Sequence, residues 1–367
     1  MQLFWQLPGP KRFLENASKD LAVGKNVVLG LPAFSPPGLQ SGLKELTADV
    51  WTWNTIEVTN EVPTVFFFRR FVRERKPSTV PSVSALVQAE EFENHLLWLE
   101  GLNQDNWPLW KRFIEDYQHA CRMKAVTRRS LFIVPLSGSL ASVPPADDIA
   151  LSYRPWRDTV NELDMLIYAT VLLQDKPMVA KQRNLLAAVI ARVALWDPFT
   201  AERLIQLPAK EVLRPQRALR ELAAERGWTN DTPVSWEKGT QNVIDGRTQV
   251  HAALLALNDG QGRLEKRIWS AEISVILPLL EEQRQALIPT VRPFLRFPIN
   301  TGYSVITDAQ DLEIGHLANQ LNGAGVNPSI RQRIYFLRRI RNQLAHMTVL
   351  APEDALAPEL YEELNGL

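Results

Sequence analysis

Apolar runs of strand length are concentrated in the first 156 residues of this chain, and helical spacing dominates after them. Asn26–Leu31 (NVVLGL) and Leu131–Pro135 (LFIVP) have the unbroken hydrophobicity of strands covered on both faces, as in a parallel sheet. Leu3–Leu7, Trp51–Val58 and Thr64–Val72 read as further strands, although Arg69 and Arg70 limit burial of the last. Between the first two runs, Phe13, Leu14, Ala17 and Leu21 recur at helical spacing over Lys11–Val23, with Gly24 where a helix C-cap belongs. Val83–Val126 reads as helical, interrupted near Asn106-Trp107-Pro108. Strands alternating with helices predict an α/β layer with crossover connections.

From Arg157 onward the pattern is mostly helical, broken at Pro177, Pro198, Pro208, Pro215 and Pro233. The polar stretch Thr229–Gly246 is the best candidate boundary there. The expected organisation is an α/β domain over 1–156, a helical middle over 157–238 and a helical bundle over 239–367. A chain of 367 residues is long enough for two or three domains at about 150 residues each.

Lys plus Arg equals Asp plus Glu at 41 each, and 46% of residues are hydrophobic. That balance excludes a largely disordered chain and a globally basic nucleic-acid binder, though not a local basic face. The one cysteine, Cys121, cannot close an internal disulfide, which fits a reducing compartment. No signal-peptide pattern opens the chain, and no window approaches the roughly 18 apolar residues of a membrane helix. A cytoplasmic protein without membrane contact is expected.

The segment Ile330–Met347 (IRQRIYFLRRIRNQLAHM) carries Arg331, Arg333, Arg338, Arg339 and Arg341 without one acidic residue. Ile330, Ile334, Leu337, Leu344 and Met347 fall at helical spacing and form a candidate buried stripe. Within it, Arg341-Asn342-Gln343-Leu344-Ala345-His346 resembles the RNxxxH motif of the HEPN superfamily, all-α bundles of prokaryotic toxins, antiviral systems and RNA-processing proteins. Asp311–Leu321 fits the penultimate helix, Asn327-Pro328-Ser329 opens the motif helix, and Leu264–Ile288 reads as a long amphipathic helix of the same bundle. The resemblance covers about the last 120 residues.

The resemblance implies metal-independent RNA cleavage, with His346 as general base or acid, Arg341 stabilising the phosphorane and Asn342 positioning the phosphate or the arginine. An imidazole with an unperturbed pKa of about 6.5 suits proton transfer from a ribose 2′-OH, and a guanidinium suits a developing phosphorane charge. Arg331, Arg338 and Arg339 are candidate RNA or phosphate contacts. Helix geometry adds a constraint: five residues at about 100° each place Arg341 and His346 about 140° apart. Arg339, Asn342 and His346, at i, i+3 and i+7, line one side. A working site therefore needs a bend, long side-chain reach, or a second protomer, and the family commonly dimerises. The same motif also occurs in binding or dimerisation modules, and both uses stay open.

Leu7–Phe13, between an expected strand and helix, sits where a P-loop would sit, but it has one glycine between two prolines and no GK[ST]. The layout resembles a degenerate P-loop ATPase module of the kind fused to effectors in bacterial defence proteins. Lys11 and Arg12 are left as a weak anion site at a helix start. His95, His119, His251 and His316 lack metal-ligand spacing, so neither metal nor cofactor is expected. The expected function is an accessory or scaffold subunit of an anti-phage defence or stress system. It would work with protein partners and bind RNA or a partner through the HEPN-like bundle; the rival is an endoribonuclease toxin restrained by a partner.

Overall fold

The computed structural model describes residues 2–72, 80–258, 262–300 and 304–362. Two compact units divide the chain: residues 1–164 with 231–251, and residues 165–230 with 252–367.

The first unit is an α/β layer. Its strands β1 (Asn26–Leu31), β2 (Thr52–Glu57), β3 (His95–Glu100), β4 (Leu131–Ser137) and β5 (Leu151–Pro155) form one sheet in the order β2-β3-β4-β1-β5. Every neighbouring pair is parallel. All six residues of β1 are buried, as a strand covered on both faces requires. Asn26 anchors it on both sides: its side chain donates to the Ala150 carbonyl at 3.1 Å and accepts from the Phe132 N–H at 2.9 Å. The intervening helices are α1 (Pro8–Ala22), α2 (Leu39–Thr47), α3 (Pro63–Phe71), α4 (Val83–Gln88) and α5 (Trp107–Cys121). Phe67 of α3, Phe92, Phe113 and Tyr117 of α5, and Phe132 of β4 pack mainly edge-to-face in the core, which favours the ring quadrupoles.

Three expectations fail here, each for a local reason. Leu3–Leu7 is not a strand: Phe4–Gln6 is a single 3-10 turn leading directly into α1. Pro8 and Pro10 occupy the first turn, where no backbone donor is needed, and Phe13 and Trp5 pack on the Trp156 ring. Thr64–Val72 is helical, opened by Pro63, with Arg69 and Arg70 in the last turn where the helix dipole favours cations. Val83–Val126 is not continuously helical, because the buried run of Leu96–Leu99 forms β3.

The unit is completed by β6 (Gln241–Ile244) and β7 (Arg247–Val250), an antiparallel hairpin. Its turn, Asp245-Gly246, has φ of 49° and 71°, the positive pair that a two-residue hairpin loop demands.

The second unit is helical. The boundary falls within α6 (Glu162–Leu172), and α7 (Ala180–Ala194), α8 (Pro198–Ile205), α9 (Ala209–Val212), α10 (Gln216–Glu225) and α11 (Ala252–Leu257) follow. The long α12 (Arg263–Val291) packs against α7 and against α14 (Pro328–Ala345). A short antiparallel pair, β8 (Ile299–Asn300) with β9 (Val305–Ile306), precedes α13 (Ile314–Gln320), and α15 (Pro352–Ala355) follows α14. Asp197 caps α8 through the Phe199 N–H and holds Arg226 at 2.8 Å, both side chains being buried. An α/β layer followed by a mostly helical region is thus the observed class.

Candidate functional site

Helix α14 is set up at both ends. The Asn327 side chain accepts the Ser329 N–H at 3.0 Å, with Pro328 opening the first turn. Ile330, Ile334, Leu337, Ile340 and Leu344 are buried along its inner face. Met347 is not part of that stripe. The helix stops at Ala345 with His346 as C-cap, and Met347 turns to φ 57° and is 53% exposed, so helical periodicity no longer applies to it. Trp269 of α12 donates its indole N–H to the Leu344 carbonyl at 2.8 Å and fixes this end.

The five arginines differ in what they hold. Arg331 donates to the Ala324 and Val326 carbonyls, clamping the loop before its own helix. Arg333 reaches Gln283 and the carbonyls of Glu359 and Glu362 at 2.9–3.0 Å, and burial lowers its pKa. Arg339 forms a two-pronged pair with Asp354 at 2.5 and 2.8 Å, which raises its pKa. Arg341 pairs with Glu313, the N-cap of α13, at 3.0 Å and lies 3.5 Å from the Asn342 side-chain oxygen. Arg338 makes one side-chain bond among the described residues, 3.3 Å to Asn319.

Within the motif, Arg341 and His346 face different cavities. Arg341 lines a cavity of about 430 Å³ with Leu277, Leu280, Arg284, Glu313 and Ile314. Asn342 and His346 line a different, open groove of about 400 Å³ with Tyr335, Arg338, Arg339, Gln343 and Thr348. Among the described residues the groove has no acidic lining residue. Its polar groups are also largely uncommitted: the exposed His346 imidazole, the Asn342 amide nitrogen and the Tyr335 hydroxyl have no hydrogen-bond partner among the described residues. The Gln343 Oε1 is shielded from solvent and has no partner among the described residues.

Beyond His346 the chain is pinned from below. Glu272 of α12, fully buried, accepts the Leu350 N–H at 2.9 Å, and its other oxygen has no partner among the described residues. Arg214 holds the Val349 and Leu350 carbonyls. Burial pushes the Glu272 carboxyl up to about 7 against the pull of Leu350 and Arg214.

Lys11 and Arg12 are exposed on the first turn of α1, and Lys11 lies 3.9 Å from Glu15. That helix start is already closed, because the Gly9 N–H donates to Asp164 at 3.0 Å and Pro10 has no donor. The ligand crevice of a parallel α/β sheet lies instead at the carboxyl ends of its strands, where the strand order reverses; here that is beside β1 and β4. The loop there, residues 32–38, was missed from sequence, although NVVLGL running into PAFSPPG marks it. Its crevice is occupied by the chain itself. The Ala33 N–H donates to the Glu237 carbonyl at 3.1 Å, and the Ser142 hydroxyl to the Glu237 carboxylate at 2.5 Å. Trp5 closes the far end through the Pro37 carbonyl at 2.8 Å, beside Gly38 at φ 90°.

Among the described residues no cluster of three His, Cys, Asp or Glu side chains could hold a metal, and no helix is long and apolar enough to cross a membrane. Comparison with family models, with curated proteins and with solved structures finds no match to this chain.

Proposed function

We propose that this protein is a cytoplasmic accessory or scaffold subunit of a bacterial anti-phage defence or stress system, with a HEPN-like bundle over its last 120 or so residues. The observation that carries the reading is the groove on α14: among the described residues its lining holds no acid, and Asn342 and His346 present uncommitted polar groups beside Arg338. Such a surface suits phosphate-bearing RNA, since arginine and amide donors set along one helix face match a sugar-phosphate strand. In the α/β unit, the strand order fits a degenerate P-loop-type module, and the self-filled crevice beside β1 supports a scaffolding role over ATP hydrolysis.

The endoribonuclease reading is favoured by one feature, the accessible imidazole of His346. A neutral imidazole would take the 2′-OH proton, the 2′-oxygen would attack phosphorus, the P–O5′ bond would break, and the leaving 5′-oxygen would take a proton from water, giving a 2′,3′-cyclic phosphate and a 5′-OH. Within one chain the Arg341 guanidinium belongs to another cavity. Cleavage would therefore rely on Arg338 or Arg339, or on a second protomer, to stabilise the phosphorane.

Incubating the purified protein with cellular RNA under magnesium chelation, beside His346→Ala, tests both. RNA bound but intact supports the accessory role. Cleavage lost in the variant establishes the enzyme. Neither binding nor cleavage removes the RNA assignment.

A further inference from the structure

Tyr335, Arg338, Asn342 and His346 follow one another at i, i+3, i+7 and i+11 along the outer face of α14, all lining the same groove. At about 1.5 Å per residue the row is about 16 Å long. Its two ends differ in chemistry. One carries the imidazole and the amides; the other carries the Tyr335 ring, 39% exposed in a helix whose other large apolar side chains are mainly buried. We propose that Tyr335 is a stacking platform for an unpaired base, so that the groove selects single-stranded RNA and sets its register, with the adjoining phosphates on Arg338 and Asn342. The inference rests on the RNA reading above and adds the strand specificity of that same site.

The physical case is complementarity. An aromatic face accepts any base whose own faces are open, whereas bases within a duplex are already stacked. Arg338 lies one turn from Tyr335 and, among the described residues, bonds only Asn319 at 3.3 Å, so its remaining donors can turn to a phosphate. Arg339 is held by Asp354, which balances its charge, so Arg338 supplies the groove's free guanidinium donors. The phenol hydroxyl has no partner among the described residues that a stacked base would disrupt. An acidic peptide would satisfy the arginines but would leave the ring unused.

Fluorescence anisotropy with a labelled single-stranded RNA 15-mer, and the same sequence as a duplex, tests this on the intact chain with magnesium chelated. Wild type should bind the single strand tightly and the duplex weakly. Tyr335→Ala should weaken single-strand binding about tenfold while Tyr335→Phe keeps it, because the ring and not the hydroxyl is at work. Circular dichroism melts of the variants control for folding. Equal affinity for duplex and single strand, or an unaffected Tyr335→Ala beside a weakened Arg338→Ala, overturns the platform and leaves the RNA reading standing. Absence of RNA binding in wild type overturns both; in that case Tyr335→Ala dissolving a dimer in sedimentation would identify the groove's occupant as a second copy.

Discussion

Arg341 and His346, five residues apart at the end of α14, open into separate cavities: the guanidinium is held at 3.0 Å by Glu313, while the imidazole lies with Asn342 in the acid-free groove. The motif is therefore not a preassembled pair within one chain. Its polar atoms serve two different surroundings.

Arg341→Ala should accordingly be mild. The pair with Glu313 is solvent-exposed on both sides, and such pairs contribute about 1 kcal/mol or less. A thermal melt should drop by only a few degrees, and RNA affinity through the groove should change less than twofold. A loss of RNA binding comparable to that of Arg338→Ala would contradict the separation.

Glu272 should make the second unit less stable as pH rises. Its folded-state carboxyl is raised from 4.5 to about 7, so folding takes up a proton. That contribution is complete below the unfolded value, declines as pH climbs through about 7, and is gone above it. The size is on the order of 3 kcal/mol. Glu272→Gln should match wild type near pH 5 and melt progressively higher toward pH 8. A difference that does not vary with pH would refute this origin.

Asp197→Ala should be among the most damaging single changes. It removes the cap of α8 and leaves Arg226 without the carboxylate it meets at 2.8 Å in a buried setting. Breaking one side of such a pair costs roughly 3–5 kcal/mol. Urea titration should show a lowered midpoint, with Asp197→Asn falling between the variant and wild type because its side-chain oxygen can still cap.

Magnesium-ATP at 1 mM should leave the melting temperature unchanged. A ligand at 100 times its Kd stabilises by about 2.7 kcal/mol, a shift easily read. A rise of several degrees would mean that Glu237 and Trp5 do not close the crevice beside β1.

Periodicity made the long elements legible. The run NVVLGL, bounded by Gly24 and Pro32 and carrying β-branched valines, favours a strand covered on both faces, and the long stripe from Ile330 to Leu344 favours an amphipathic helix. Leu3–Leu7, Thr64–Val72 and Leu96–Leu99 were not legible, because a four- to nine-residue apolar run fits helix and strand alike until tertiary packing chooses. Prolines at positions 8 and 63 carried the missing information, since both open helices. Helical angles alone put Arg339, Asn342 and His346 on one face. They could not show that Arg331 and Arg333 grip main-chain carbonyls or that Asp354 holds Arg339, because contacts made through loop closure leave no spacing signal.

The hairpin of β6 and β7, with the Ser235–Thr240 stretch before it, belongs to the unit whose other residues end at 164. A ribosome making this polypeptide therefore finishes the five-stranded layer long before it makes the piece that satisfies the Ala33 amide. Until Glu237 emerges, that rim stays open to solvent and to any passing acceptor. Shortened versions ending near 164 should be sticky and prone to precipitate, while an added copy of the 231–251 peptide should restore their solubility.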